Sequence, residues 1–151
     1  MAAQWKLKPY NELTIDELYE IIRLRVEIFV IEQNCPYQDL DGKDKKSLHL
    51  FLQEDDGSVL ACLRIIPAGI SYDEPSLGRF VVKESFRRNG LGRIAMEKGI
   101  EYITNNYNIK DIRISGQAYL REFYESLGFE VTKGPYLEDD IPHFQMLRTW
   151  S

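Results

Sequence analysis

Leu77-Gly78-Arg79-Phe80-Val81-Val82, a linker from Lys83 to Phe86, then Arg87-Arg88-Asn89-Gly90-Leu91-Gly92-Arg93: this stretch near the middle of 151 residues decides how the rest is read. Its first part is an apolar strand, and its last part runs directly into a helix. Met96, Ile100, Ile103 and Tyr107 set that helix's buried face at i, i+4, i+7 and i+11. Glycines at a helix entrance let backbone N–H groups turn toward a ligand. The unpaired first-turn donors and the helix dipole then favour an anion, typically a pyrophosphate. Arg87, Arg88 and Arg93 add positive charge where the dipole is already positive, which makes sense with an anion between them. On spacing alone a solvated Arg/Gly turn stays open as well.

A dinucleotide fingerprint is formally present in Gly90-x-Gly92-x-x-Ala95, but its context fails. Seven residues separate Val82 from Gly90, and the next strand ends at Ser115-Gly116 with no acid for a ribose. Neither a GxxxxGK[ST] loop nor a GxSxG elbow occurs.

Outward from this centre, helices and strands interleave. Gln4–Leu7 reads as a short edge strand. Thr14 and Glu17 form a capping box, with Leu13 placed to staple against Leu18. Ile15, Leu18, Ile22, Val26 and Phe29 predict the apolar face of a helix that fades before Asn34-Cys35-Pro36. A charged loop, Cys35–Lys46, holds Asp39, Asp41 and Asp44. Leu48–Gln53 and Val59–Ile66 flank Asp55-Asp56-Gly57-Ser58 as a β-hairpin. Asp111–Ser115 is a strand. Leu120, Phe123, Tyr124 and Leu127 mark a short helix closed by Gly128. Phe129–Lys133 and His143–Arg148 complete a central sheet. The fold class is mixed α/β, as one domain over residues 1–151.

Composition narrows the function. The net charge of −5 and pI near 5.1 argue against a nucleic-acid partner, which a basic face would serve. Apolar runs fall short of the roughly 18–20 residues a membrane span needs, and the first residues lack the pattern of a secretory signal. Two cysteines, Cys35 and Cys62, without CxxC spacing point to a reducing cytoplasm and not to a disulfide scaffold. With His49 and His143 they match no zinc pattern, so no metal is expected.

Arg87-x-x-Gly90-x-Gly92 after an apolar strand resembles the acyl-CoA pyrophosphate loop of the GNAT superfamily of N-acyltransferases. About 25 residues on, Gln117-x-x-Leu120-x-x-Phe123-Tyr124-x-x-x-Gly128-Phe129 resembles that superfamily's N-x-x-A-x-x-[LF]-Y-x-x-x-G-F motif. Gln117 and Leu120 stand where asparagine and alanine are usual. Arg25 to Gly42 and Glu138-Asp139-Asp140-Ile141-Pro142-His143 resemble the ElaA-like branch, so the likeness extends over the whole chain.

The resemblance implies a splayed sheet whose gap admits the pantetheine arm of acetyl-CoA. The backbone of Phe80, Val81 and Val82 would bond that arm, with Gln117 as a further contact. Arg87, Arg88, Asn89, Gly90, Leu91, Gly92 and Arg93 would cradle the pyrophosphate. The acceptor would be an amine of a small molecule or peptide, and such a fold admits a homodimer. The chemistry sets its own demands. An ammonium of pKa near 10.4 is deprotonated only about once in 2,500 at pH 7, so a base is needed. Glu32 and His49 are candidates for it, His49 also as a substrate contact. The oxyanion needs a backbone donor, for which the N–H near Val82 is placed. Tyr124 is the candidate acid for the departing thiolate, against the alternative of a plain core tyrosine. Asp39, Asp41 and Asp44 read as a solvated loop or as an acidic rim for a cationic amine. Cys35, beside Pro36 and without a relay, is a poor nucleophile. Two other readings share these residues. Arg25-x-x-x-Phe29, Asp39-x-Asp41 and Arg64-Ile65-Ile66-Pro67 also resemble acyl-homoserine-lactone synthases, and a non-catalytic acyl-CoA sensor would keep the same loop.

Overall fold

The computed structural model describes residues 3–150. Four strands, β1 (Gln4–Pro9), β2 (Leu48–Gln53), β3 (Val59–Ile66) and β4 (Ser76–Val82), form one antiparallel sheet in chain order. A second antiparallel sheet orders β5 (Ile112–Gln117), β7 (Ile141–Arg148) and β6 (Glu130–Glu138) with β7 in the middle. The helices are α1 (Ile15–Arg25), α2 (Leu91–Asn106) and α3 (Arg121–Ser126). β3 is buried along all eight residues and β2 along its centre, which is why both read as continuous apolar runs. The largest core cluster packs Ile100 and Ile103 of α2 and Tyr124 of α3 against Leu63, Leu77, Ile112, Ile114 and Met146 from both sheets.

Neighbouring strands β4 and β5 join the sheets at one end only. The Arg113 N–H donates to the Pro75 carbonyl at 3.1 Å, and the Arg113 guanidinium grips Glu74 at 2.9 and 3.0 Å. Both contacts lie at the strand starts, so β4 and β5 diverge toward Val82 and Gln117. Within β4 the ladder gains a residue: Cys62 faces Val81 while Arg64 faces Gly78. Arg79 takes φ +48° in this bulge, which disrupts pairing beside Phe80 and re-aims the strand.

The capping box of α1 is present in both directions. Its buried face, however, is Ile21, Leu24, Arg25 and Ile28, and Ile15 is 87% exposed. The expected apolar face is therefore rotated. Buried Glu17 and Arg25 occupy positions on it that an apolar count skips. From Val26 to Glu32 the helix widens into π-type turns, with Gln33 N–H bonding back to Ile28 and Cys35 N–H to Val30. Strand β6 runs past the expected end at Lys133, because register shifts on either side of it absorb Gly134-Pro135 without ending the pairing. No helix among the described residues is long and apolar enough to cross a membrane.

Candidate active site

The divergence of β4 and β5 opens a cavity of about 510 Å³, lined among others by Phe80, Val81, Val82, Gln117 and Tyr124. That volume is in the range of small-molecule sites. A side pocket of about 160 Å³ adjoins it at the start of α2, bounded by Arg87, Arg88, Gly90, Leu91, Gly92 and Phe123. Phe80 and Val82 wall both spaces.

Helix α2 begins without a side-chain cap. Gly90 fills the N-cap position at φ +77°, and no acid occupies the first turn. Its leading N–H groups and positive dipole end thus face the pocket uncompensated. Gly92 is needed for a different reason as well. A Cβ there would meet the Phe80 ring at 2.9 Å, and Phe80 is stacked on Phe123 with centroids 5.9 Å apart. Arg93 lies over Phe123 and donates to Ser126 Oγ at 2.7 Å, so it is committed to α3 and absent from the pocket lining.

Arg87 is held from two sides. Its Nε–H donates to the Val82 carbonyl at 3.0 Å, and its two Nη groups form a fork with Glu32 at 2.7 and 2.9 Å. Glu32, expected as a free base, is therefore the partner of an arginine. The next residue, Gln33, exchanges amide hydrogen bonds with Gln117 at 3.1 and 3.3 Å. The wide turns ending α1 thus place two consecutive side chains across the opening, one bonded to the β4 side and one to the β5 side.

His49 requires correction. It is buried, absent from the cavity lining, and bonded through Nε2 to the Asp44 carbonyl at 2.8 Å. Burial lowers its pKa. Strand alternation explains the placement: His49 stands opposite Arg64 in the β2–β3 ladder, over the loop after α1. Nor are the loop aspartates a solvated rim. Arg25, 1% exposed, binds Asp39 at 2.9 Å and Asp44 at 2.8 Å. Arg64 binds Asp41 at 2.6 Å and Asp44 at 3.1 Å, and Arg79 lies 2.8 Å from Asp39. Three arginines on three elements neutralise three aspartates and fix the loop as a wall of the cavity. Hydrogen bonds from the arginines hold Asp41 and Asp44 below the usual carboxylate range, against a burial effect that raises them.

Tyr124 is buried yet lines the cavity, and its hydroxyl has no hydrogen-bond partner among the described residues. Burial raises its pKa above that of a free phenol, so the group is a proton donor at any ordinary pH. Gly116 makes room for it: a Cβ at 116 would lie 2.5 Å from the ring. Sequence reasoning passed over a further polar cluster: Ser115, Glu138 and His143 line the same cavity, and Tyr136 backs them. Ser115 Oγ is 2.6 Å from Tyr136 Oη and donates to Glu138 at 2.8 Å. The signal available was the Glu138–His143 segment, read only for a resemblance and, through His143, for a zinc site. Among the described residues no group of three or more His, Cys, Asp or Glu side chains is placed to hold a metal ion.

A family model described as an acetyltransferase (GNAT) domain matches residues 18–149. Protein ElaA of Escherichia coli strain K12 is 35% identical over 147 residues, spanning 96% of this chain and 95% of that protein. Among solved structures, an acyl-CoA N-acyltransferase from Pseudomonas aeruginosa superposes with a TM-score of 0.92 at 37% identity, over 98% of this chain and 100% of that one. The crystal structure of Escherichia coli ElaA gives 0.90 at 34% identity with the same coverage.

Proposed function

Because the chain belongs to the GNAT acetyltransferase family and is an acyltransferase, we propose that it moves the acetyl group of acetyl-CoA directly to a primary amine of a small molecule or peptide, with Tyr124 protonating the CoA thiolate. The observation that carries this reading is the unpartnered Tyr124 hydroxyl on the cavity between the diverging strands. β4 is the last strand of its sheet, so the outward backbone groups near Phe80 and Val82 suit the amides of a pantetheine arm, the Val82 carbonyl once Arg87 has turned to the phosphate. The uncapped start of α2, with Arg87, Arg88 and the Asn89–Gly92 backbone, suits the pyrophosphate. Gln117, paired with Gln33, borders the arm. An N–H near Val82 stabilises the oxyanion as the amine adds to the carbonyl. When the C–S bond breaks, the phenol gives its proton to sulfur. The reading treats residues 1–151 as one catalytic domain in the reducing cytoplasm. It calls on no metal and admits a homodimer.

Thermal unfolding with acetyl-CoA, CoA, NAD or buffer tests the cofactor. A ligand at 100 times its Kd stabilises by about 2.7 kcal/mol, on the order of 5–10 °C for this size. A rise with acetyl-CoA and not NAD supports the reading, and no rise at saturation overturns it. Thiol release with primary amines then separates an enzyme from a sensor that binds without turnover.

The Glu32–Arg87 fork makes a second expectation. An arginine released from its carboxylate is free to meet a phosphate, so Glu32→Gln lowers the Kd for CoA several-fold in low-salt calorimetry. An unchanged Kd would mean that Arg87 keeps Glu32 when CoA is bound. The fork is about one-third exposed, so its contribution to stability is small.

A further inference from the structure

Glu32 faces Arg87 and the start of α2, and His49 lies outside the cavity; a second titratable cluster lines it at the β6–β7 end. His143 lies on β7 directly opposite Gln117, the last residue of β5, and lines the cavity. Its Nδ1 is 2.6 Å from the Ile141 carbonyl. A carbonyl only accepts, so Nδ1 carries the proton, and in the neutral ring Nε2 holds the free lone pair. That Nε2 stands 3.6 Å from Glu138 Oε2. Tyr136 stacks on the imidazole at 6.4 Å and 21°, fixing its plane. Neighbouring β5 residues 116 and 117 face opposite sides of the sheet. Tyr124 fills the space beside Gly116, and His143 shares the side of Gln117. An imidazole and a phenol therefore reach the open end of the cleft from opposite faces.

Resting on the acyltransferase reading, we propose that His143 Nε2 is the catalytic base that deprotonates the acceptor ammonium, with the Ile141 carbonyl positioning the ring and the Glu138 carboxylate facing the charge that Nε2 gains. His143 takes one proton from R–NH3+ and passes it to solvent past Glu138. The neutral amine's lone pair forms the C–N bond as the carbonyl pair moves to oxygen. On collapse the C–S bond breaks, sulfur takes the Tyr124 proton, and the second N–H proton of the adduct restores the phenol. The products are N-acetylamine, CoA thiol and one proton. Other titratable groups packed at this end are Tyr136 on β6, Asp139 and Asp140 in the β6–β7 turn, Cys35 beside that turn, and Tyr72 from the β3–β4 connection. The acids favour a cationic amine at the mouth.

The chain has two histidines, so 15N-resolved NMR reads them individually. The expected spectrum of the neutral ring shows a protonated Nδ1 and a bare Nε2 for His143. The opposite tautomer overturns the proposal. Kinetics use acetyl-CoA with glycinamide, putrescine, tyramine and Nα-acetyl-lysine. The acid limb of kcat/KM should share the NMR midpoint of His143. His143→Gln should lower kcat/KM about 100-fold and abolish that limb, while the acetyl-CoA thermal shift persists as the measure of an intact fold. Glu138→Gln, which removes a negative charge beside the ring, should move the limb to lower pH. This second variant decides the matter if His143→Gln does not fold. An unmoved limb in Glu138→Gln, or undiminished turnover in His143→Gln, overturns the base assignment and leaves the acyltransferase reading intact. Binding of acetyl-CoA without thiol release from any amine overturns direct transfer instead, and this assignment with it.

Discussion

Replacing Arg25 by methionine should remove about 3–5 kcal/mol of stability, the usual result of taking one partner from a buried ion pair. Arg25 is 1% exposed and bonded to both Asp39 and Asp44, so solvent screens little of the loss. Methionine fills similar volume but leaves two carboxylates facing an apolar wall. Thermal unfolding should show a drop on the order of 10 °C. Urea titration at pH 7 should show a lower midpoint with an unchanged slope. A loss below about 1 kcal/mol would mean that Arg64 and Arg79 suffice for the aspartates. The same network sets the acid response. Asp41 and Asp44 have folded pKa values below their unfolded ones, so their contribution is complete above about pH 4 and is lost as pH falls toward the folded values. In Arg25→Met the lowered pKa of Asp44 loses its main cause, and acid unfolding should begin at higher pH.

Tyr124→Phe should lower turnover by about 100-fold or more, within the 10²–10⁴ that a positioned acid contributes, and should barely change stability. The second half of that expectation gives the test its sharpness. The hydroxyl has no partner among the described residues, so its removal strands no other polar group. The ring contacts with Gly116, Phe123 and Phe129 remain. Thiol release measured across pH is the readout, with thermal unfolding alongside it. Turnover within twofold of the parent at every pH would return Tyr124 to the role of a core aromatic. Burial that raises the phenol also disfavours a bare thiolate in the same cleft, so the transfer stays within reach despite the raised pKa.

How far the sequence disclosed this arrangement depended on where the information lay. The strands Leu48–Gln53 and Val59–Ile66 were legible to the residue, because turn chemistry bounds an apolar run on each side. The capping box of α1 was equally plain, being local. The face of α1 was not, since Arg25 and Glu17 are buried through partners 14 to 19 and 9 to 11 residues away, and periodicity weighs only apolar side chains. Tyr124 and Gly116 could each be picked out, but that one occupies the other's missing Cβ is a tertiary fact. Arg87 and Glu32 were both singled out, for separate jobs. Their 55-residue separation hid that they hold each other. His143 was weighed only as a zinc ligand and as part of a resemblance, because its neighbours in the cavity come from β5 and β6.

A strand edge is a template on which any passing chain can pair. Among the described residues there are four edges, and two of them, on β4 and β5, are turned inward onto the cleft. The outer two carry the usual deterrents. β1 is six residues long with Lys6, Lys8 and Pro9, and β6 is kinked by two register shifts and bears Lys133, Pro135 and Glu138. Unpaired backbone on β4 and β5 is thus withheld from other proteins and faces a narrow cleft. In this architecture, the cleft proposed for the ligand is also what protects against aggregation.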